Sequence, residues 1–565
     1  MSPPVSEGPE EAGRRVGATS VVRVACAQLA ARELEDSERA LEDALAAISE
    51  AARARADLVV LPECSYPAYI LAEPVTPTRF RDDDEVERLF ATSAREHGIS
   101  VAVGLAQRWR PGDGGARNAA VLFGSDGEVR LRTAKRFLWD FDAEWFAPGP
   151  PSDPVPWVGP EGEEIGSVGM LVCADARMPE IARSLAVAGA RLILDPTAWV
   201  AMGRDPTVLS NPQPEYLMSV RALENGVWIA AADKVGMERG TVVYAGSSGV
   251  FAPDGSVVVM ATSDEPEVVV ADVDLSRATG PPVARRPELY CRITDRTELT
   301  QAFGRVRTPV VPQDVLFRLG LLQSATPSDV TAVREKLGQL ATTVHALGLD
   351  VLAAVAAAGE PDVGGAADAG AVAEILSKDL NVAAGVAVTD GQGSIRAFHV
   401  VANGSRLDAL PTHGSSGDPT GSLASRTIDI GPLRLAAVVG AEGLVPEVAR
   451  VVCLDGAELV LWAADAGTPL VLEVARVRAV ENRVWVALLV PAVQGDDVRE
   501  AIAAVIDPDG RIGAIGLRGR DHLVTAMVNL ASARLKQMAP GTDVLTDRQP
   551  GSYATLVYAE GNEPT

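Results

Sequence analysis

The chain has 565 residues, 47% of them apolar, with charge distributed along its length; this is a globular composition, and it is too long for one hydrophobic core, so two domains are expected. The formal net charge of −25 argues against nucleic acid as a partner, because phosphates would be repelled, and against an anionic membrane surface. No segment approaches the ~20 uninterrupted apolar residues of a membrane span.

Residues 1–20, "MSPPVSEGPEEAGRRVGATS", lack the apolar core of a secretory signal and read as a disordered tail. From Val21 strand-like and helix-like stretches alternate. "VVRVACAQLA" is a valine-rich strand followed by a long helical pattern through "LEDSERALEDALAAISEAARARA". "DLVVLPECSYPAY" is a buried strand broken at Pro62, "VERLFATSAREHG" a helix stopped by glycine, and "ISVAVGLAQRW" a strand. "NAAVLFGSDGEVRLRTAKRFL" is a hairpin about Asp126-Gly127. The stretch from Glu164 to Val200 runs strand, sharp turn, helix, strand. Residues 214–236 give a helix and a strand, and 247–275 a closing run of strands. Helices on sheets whose strands are continuous apolar runs indicate an α/β class. The Arg- and Pro-rich stretch 280–312 breaks the rhythm and reads as an extended arm packed on the surface.

The chain also resembles itself. "MPEIARSLAVAGARLIL" (178–194) faces "VPEVARVVCLDGAELVL" (445–461), "RALENGVWIA" (221–230) faces "RAVENRVWVA" (478–487), and "APDGSV" faces "DPDGRI". Three matches in one order at similar separations imply that the second half repeats the fold of the first. The expected division is a tail at 1–20, a first domain at 21–285, an arm or linker at 286–312 and a second domain at 313–565.

Scarce residues narrow the chemistry. The only histidine before residue 345 is His97, which reads as a helix-end residue, so a Ser-His-Asp or Cys-His site in the first half would rest on it alone. Neither a CxxC nor a histidine pair offers a zinc site. The five cysteines, Cys26, Cys64, Cys173, Cys291 and Cys453, have no paired spacing, the pattern of reduced thiols and a cytoplasmic address. The first 300 residues hold two lysines, Lys135 and Lys234, among many arginines.

Three segments then stand out. "LVVLPECSYPA" ends a strand in Glu63, "RTAKRFLWD" sets Lys135 after the hairpin, and "GMLVCADARMPE" ends a strand in Cys173 at a turn into a helix. A thiol at a helix N-terminus lies near N–H donors that favour a thiolate and a developing oxyanion. A carboxylate at a strand end can act as a general base once a pocket raises its pKa, and a lysine can stabilise an oxyanion where no histidine exists. Singly, each has an ordinary reading: a buried thiol, a Pro-Glu turn, a solvated lysine. Together they point to catalysis.

These segments resemble the nitrilase superfamily, carbon–nitrogen hydrolases with a Glu-Lys-Cys triad on a four-layer α-β-β-α sandwich. The resemblance spans about Val21 to Tyr290 and includes "LWDFDAEWFAPG" and "RRPELY". It implies Glu63 as general base, Lys135 as oxyanion stabiliser, Cys173 as nucleophile, and the Ala174 backbone N–H as a second oxyanion donor. It implies a supporting acid at Asp142 or Glu144, between which the sequence does not choose, and neither metal nor organic cofactor.

"CADARMPE" is similar to amidases and N-carbamoyl amino acid hydrolases, whereas true nitrilases usually carry Trp-Glu where Ala174-Asp175 stands. The expected reaction is therefore hydrolysis of a carboxamide or N-carbamoyl group with release of ammonia, through a thioester on cysteine. A nitrilase, or a glutaminase-type module supplying ammonia to a ligase, is the alternative; no Gly-rich phosphate loop with lysine occurs in the second half to support the latter. By the resemblance Arg177 could grip a substrate carboxylate, or else pair with an acid such as Glu180. Trp199 could line the pocket mouth or pack. In the repeat Gly440 stands at the place of Cys173 and Ala356 opposite Glu63, no lysine matches Lys135, and His413 reads as a loop residue. The second domain is thus expected to be a degenerate copy. It would serve as an intramolecular pseudo-dimer partner, with further homo-oligomerisation left open.

Overall fold

The computed structural model describes residues 21–71, 80–108, 116–159, 163–201, 209–308, 316–357, 365–390, 392–413, 423, 426–494 and 498–558. The expected tail at 1–20 and the end of the expected arm, 309–312, lie outside them.

The side chains of the first strand already define the layers. In Val21–Ala30, Val22, Val24 and Cys26 face one way and Ala25, Ala27 and Leu29 the other, and both sets are buried in separate apolar clusters. Period-two alternation with both faces apolar demands a layer on each side. The first set meets a second sheet through residues such as Val168 and Met170. The second meets Leu41, Ala44 and Ile48 of helix Ser37–Arg53, and Val86 and Phe90 of helix Asp83–His97. That second helix starts where the Asp82 carboxylate accepts the Asp84 N–H at 3.0 Å and stops at Gly98, φ +67°.

The outer sheet runs Val242–Ala245, Lys234–Glu238, Val21–Ala30, Leu58–Val60, Ser100–Arg108, Ala116–Phe123, Val129–Ala134, with Glu267–Asp274 pairing antiparallel along Val21–Ala30. The facing sheet runs Val257–Met260, Gly249–Phe251, Trp228–Ala232, Leu192–Pro196, Glu164–Met170, Val155–Val158. Helices Pro179–Val187 and Met218–Asn225 cover the far side of that facing sheet.

The second half repeats this plan. One sheet runs Ser405–Ala409, Ile395–Ala402, Ala383–Thr389, Val351–Ala357, Leu316–Gln323, His522–Asn529; the other runs Thr427–Ile430, Leu433–Val439, Leu459–Ala463, Trp485–Val490, Ile502–Ile506, Ile512–Ile515. Val24 pairs with Leu58 as Leu319 pairs with Val351. The Gln28 amide bonds the carbonyls of Thr262 and Glu265 as that of Gln323 bonds those of Leu517 and Arg520. The fold is two α-β-β-α sandwiches in tandem.

Helices Pro179–Val187 and Met218–Asn225 pack on helices Pro446–Leu454 and Val471–Asn482 of the other half, and their apolar side chains form one continuous cluster. Arg450 pairs with Glu180 at 2.8 Å and Arg183 with Glu447 at 3.2 Å, the same pair in mirrored order.

The stretch after Leu275 is not the extended arm expected. It winds through the short turns Pro287–Leu289, Cys291–Thr294 and Thr297–Leu299 into helix Gln301–Val306, because proline at a first helical position and Thr300 as an N-cap favour local turns. It lies on the second half, where the Tyr290 hydroxyl meets His413 Nε2 at 2.6 Å. His413 is a loop residue, as expected, and is buried there. The corresponding C-terminal segment lies on the first half, where Arg136 Nε donates to Gln549 at 3.2 Å. No helix among the described residues is long and apolar enough to cross a membrane, and no group of three or more metal-ligating side chains occurs among them.

Candidate active site

Glu63, Lys135 and Cys173 come from three chain segments that end at the same edge of the sandwich. The Leu58–Val60 strand turns at Pro62 into Glu63, whose N–H donates to the Thr197 carbonyl at 3.1 Å. This turn packs on Gly104 of the neighbouring strand so closely that a Cβ there would stand 2.5 Å from the Glu63 Cα. Only glycine permits that approach.

Lys135 follows the Val129–Ala134 strand and is held by its own N–H on the Asn118 carbonyl at 2.8 Å. Its ammonium lies between two carboxylates, 2.7 Å from Asp142 Oδ2 and 2.8 Å from Glu63 Oε1, and all three side chains are fully buried. Asn118 donates its side-chain amide to the same Glu63 oxygen. The helix Asp142–Trp145 settles the choice of neighbouring acid: Asp142 points inward and Glu144 is exposed. The shorter side chain suffices because the Trp139 N–H, donating at 2.8 Å, anchors Asp142 Oδ2 beside the lysine.

Burial raises the Glu63 carboxyl above its usual range; Asp142 adds to this, and Lys135 and Asn118 oppose it without prevailing. Burial alone would depress the Lys135 ammonium, but Asp142 and Glu63 outweigh it and hold it well above its ordinary value.

Cys173 sits at φ +51°, in the left-handed region that costs a non-glycine residue roughly 1–2 kcal/mol. Its N–H donates to Asp195 Oδ1 at 2.6 Å, and its carbonyl accepts from Gln213 Nε2 at 2.9 Å. Asp175 ties this turn to the lysine segment: its Oδ1 accepts from the N–H groups of Arg136 and Phe137, each at 2.8 Å, and its Oδ2 from Val172 at 3.1 Å. Ala174 is buried in the same turn.

The expected placement of Cys173 at an α-helix N-terminus is corrected. Cys173 opens a five-residue 3₁₀ turn, Cys173–Arg177, and the α-helix begins only at Pro179. Burial and the Glu63 carboxylate push the thiol well above its ordinary pKa, with Lys135 opposing.

Aromatic side chains line the same region. Tyr69 lies 5.4 Å from Phe141 and 6.4 Å from Tyr244, and Phe141 lies 5.3 Å from Trp145, measured between ring centroids. The Lys135 ammonium is 5.6 Å from the Tyr69 ring. Trp199 is buried, its backbone N–H on Asp233 Oδ1 at 2.8 Å, and its indole N–H has no hydrogen-bond partner among the described residues.

Arg177 is buried too. Its guanidinium stacks 4.4 Å from the Trp139 ring and donates to Gln213 Oε1 at 2.9 Å and Asn211 Oδ1 at 3.2 Å. Burial draws its pKa down to about 10. Glu180, the acid a local pair would use, is engaged by Arg450 instead. His97 bonds Ser49 Oγ and the Ser93 carbonyl, both at 2.9 Å, at the end of its helix. Asn118, Asp195 and Gln213 carried no sequence signal, since a lone amide or acid in a strand or loop has no diagnostic spacing.

In the second half Gly440 repeats the conformation of Cys173, φ +58°, at the start of the equivalent turn Gly440–Leu444. The strand register sets Ala356 opposite Glu63 and Pro411 opposite Lys135. A Cβ on Gly440 would lie 3.0 Å from Asp465 Oδ1, so an acid borders the space a nucleophile would use.

A family model described as carbon-nitrogen hydrolase matches residues 23–280 and again 405–537. A nitrilase of Pyrococcus abyssi is 31% identical over 45% of this chain and 90% of its own length. An (R)-stereoselective amidase of a Pseudomonas species is 29% identical over 46% and 87%. Among solved structures, an amidase from Nesterenkonia sp. is 28% identical, with a TM-score of 0.39, over 46% of this chain and 95% of its own. With that model matched in both halves, the chain belongs to the carbon–nitrogen hydrolase family.

Proposed function

We propose that the first half hydrolyses a carboxamide, releasing ammonia through a thioester on Cys173, and that the second half has no catalysis of its own. The observation that carries this reading is the buried Glu63–Lys135–Asp142 cluster beside a thiol held at φ +51°. Cys173 passes its proton to Glu63 as sulfur attacks the amide carbon. The oxyanion meets the Lys135 ammonium and the Ala174 N–H. Glu63 returns the proton to nitrogen, and ammonia leaves. Glu63 then takes a proton from water, whose hydroxide attacks the thioester; the carboxylic acid departs and sulfur regains its proton. The raised pKa values of Glu63 and Cys173 support direct transfer between them.

The substrate favoured is a small, neutral amide. The wall is aromatic and its buried acids are numerous, while Arg177 is already occupied by Trp139, Gln213 and Asn211. Arg177→Ala is therefore expected to lower kcat by about tenfold for neutral and carboxylated amides alike, through Gln213 and the Cys173 carbonyl. A KM increase confined to carboxylated substrates would make Arg177 a substrate contact. The proposal as a whole is tested by ammonia release across primary amides, N-carbamoyl amino acids and nitriles. Carbon dioxide accompanying ammonia would move the assignment to carbamoyl groups, and turnover of nitriles without amides would overturn it.

A further inference from the structure

Four buried charges meet where the halves join. Arg221 pairs with Glu224 at 2.5 Å within its own helix and with Glu481 of the second half at 2.7 Å; Arg478 pairs with Glu481 and reaches across to Glu224. The side chains are at most 3% exposed. Two cations and two anions closed into a ring leave no net charge in a medium where an unpaired one is strongly disfavoured.

The ring does more than join helices. Arg221 Nε donates to the Ala176 carbonyl at 2.7 Å, and Arg221 Nη2, the nitrogen that Glu481 holds, donates to the Arg177 carbonyl at 3.2 Å. Both carbonyls belong to the turn that opens with Cys173 and Ala174. In the second half Arg478 Nε holds the Gly443 carbonyl at 2.9 Å in the same way, on a turn that has no nucleophile. A copy that has lost all three triad residues keeps both ring members.

We infer that Glu481 and Arg478 are positioning residues for the first half's reaction: through Arg221 they fix the Cys173 turn, so that the second domain completes the active site of the first. This rests on Cys173 being the nucleophile proposed above. Because the turn carries the attacking sulfur and the Ala174 N–H, loosening it acts on the transition state rather than on substrate binding.

The test uses the full chain. Glu481→Gln removes one charge; the double variant Arg478→Gln with Glu481→Gln removes one of each sign and leaves Arg221 with Glu224, so it keeps the interface neutral should the single variant fold poorly. Both are expected to lower kcat by about tenfold or more with KM changed less than about threefold, and to change the rate of Cys173 labelling by iodoacetamide, read by mass spectrometry, by about threefold or more. Glu447→Gln is the control. It lies at the same seam and is equally buried but binds Arg183 and Arg285, not the turn, so whatever it costs in melting temperature it should change neither quantity by more than about twofold. Folded ring variants with kcat and labelling rate close to the parent's would overturn the inference, as would an equal loss in Glu447→Gln. If the parent chain hydrolyses no amide, the proposed function fails by itself, and the labelling rates alone decide the ring.

Discussion

Cys173→Ala is expected to release no measurable ammonia from any amide the parent chain turns over, while Glu63→Gln should lose about 10³-fold in kcat and still accept one equivalent of iodoacetamide at Cys173. The alanine removes the only atom able to form the thioester. Its methyl group fits the space of the thiol, so melting temperature should hold. Glu63→Gln leaves an oxygen for Lys135 and Asn118 but cannot carry a proton in either half of the cycle. The pH dependence separates the roles. Burial raises the Glu63 pKa, and its base form is the active one, so kcat/KM should fall as pH drops through a value above the ordinary glutamate pKa of about 4.3. An acid limb unchanged in Glu63→Gln would assign that titration to another group, and appreciable turnover by Cys173→Ala would remove the thioester.

The three clustered residues stood out in the sequence because Glu63 and Cys173 each follow an apolar strand within a distinctive local string, and because the near absence of histidine and lysine made Lys135, after its hairpin, conspicuous. The tandem fold was readable for a related reason: buried helices and turns such as "RALEN" and "RAVEN" are constrained by what they touch, so the copies stay alike where they pack. What spacing could not supply was direction. Asp142 and Glu144 are two residues apart on a single helical turn, and only the turn's orientation sends one to Lys135 and the other to solvent. In one dimension Arg177 reads as a grip for a substrate carboxylate or a partner for Glu180; in three it stacks on Trp139 and binds residues more than thirty positions away. The turn after Cys173 resembles a helix start in sequence, yet Met178-Pro179 delays the helix, because the residue before proline is held extended. The packing of the C-terminal segment on the first half was hidden because contacts such as Arg136 with Gln549 leave no local period.

Lys135→Met should fail twice, in stability and in turnover, and the two failures should respond differently to pH. The ammonium separates Asp142 and Glu63, at 2.7 and 2.8 Å, with none of the three exposed. Removing one partner from a buried ionic cluster costs about 3–5 kcal/mol, since the remaining charges are left uncompensated. Two facing carboxylates without a cation would hold a proton between them, which raises the folded-state pKa of one far above its unfolded value. A carboxyl raised in this way contributes stability that is present below its unfolded pKa and is lost as pH rises through the folded one. Urea melts of Lys135→Met should therefore show a smaller deficit near pH 5 than near pH 8. The parent should show no such trend from Lys135, whose own raised pKa keeps it charged throughout that window. Acid should restore stability but not turnover: the shared proton disables Glu63 as a base, and the missing oxyanion donor costs on the order of 10²–10³ in kcat by itself. A variant that melts like the parent at both pH values would show that the ion cluster is not buried in solution. One that retains kcat within tenfold would give the oxyanion to the backbone alone and leave Lys135 the structural task of keeping two acids apart.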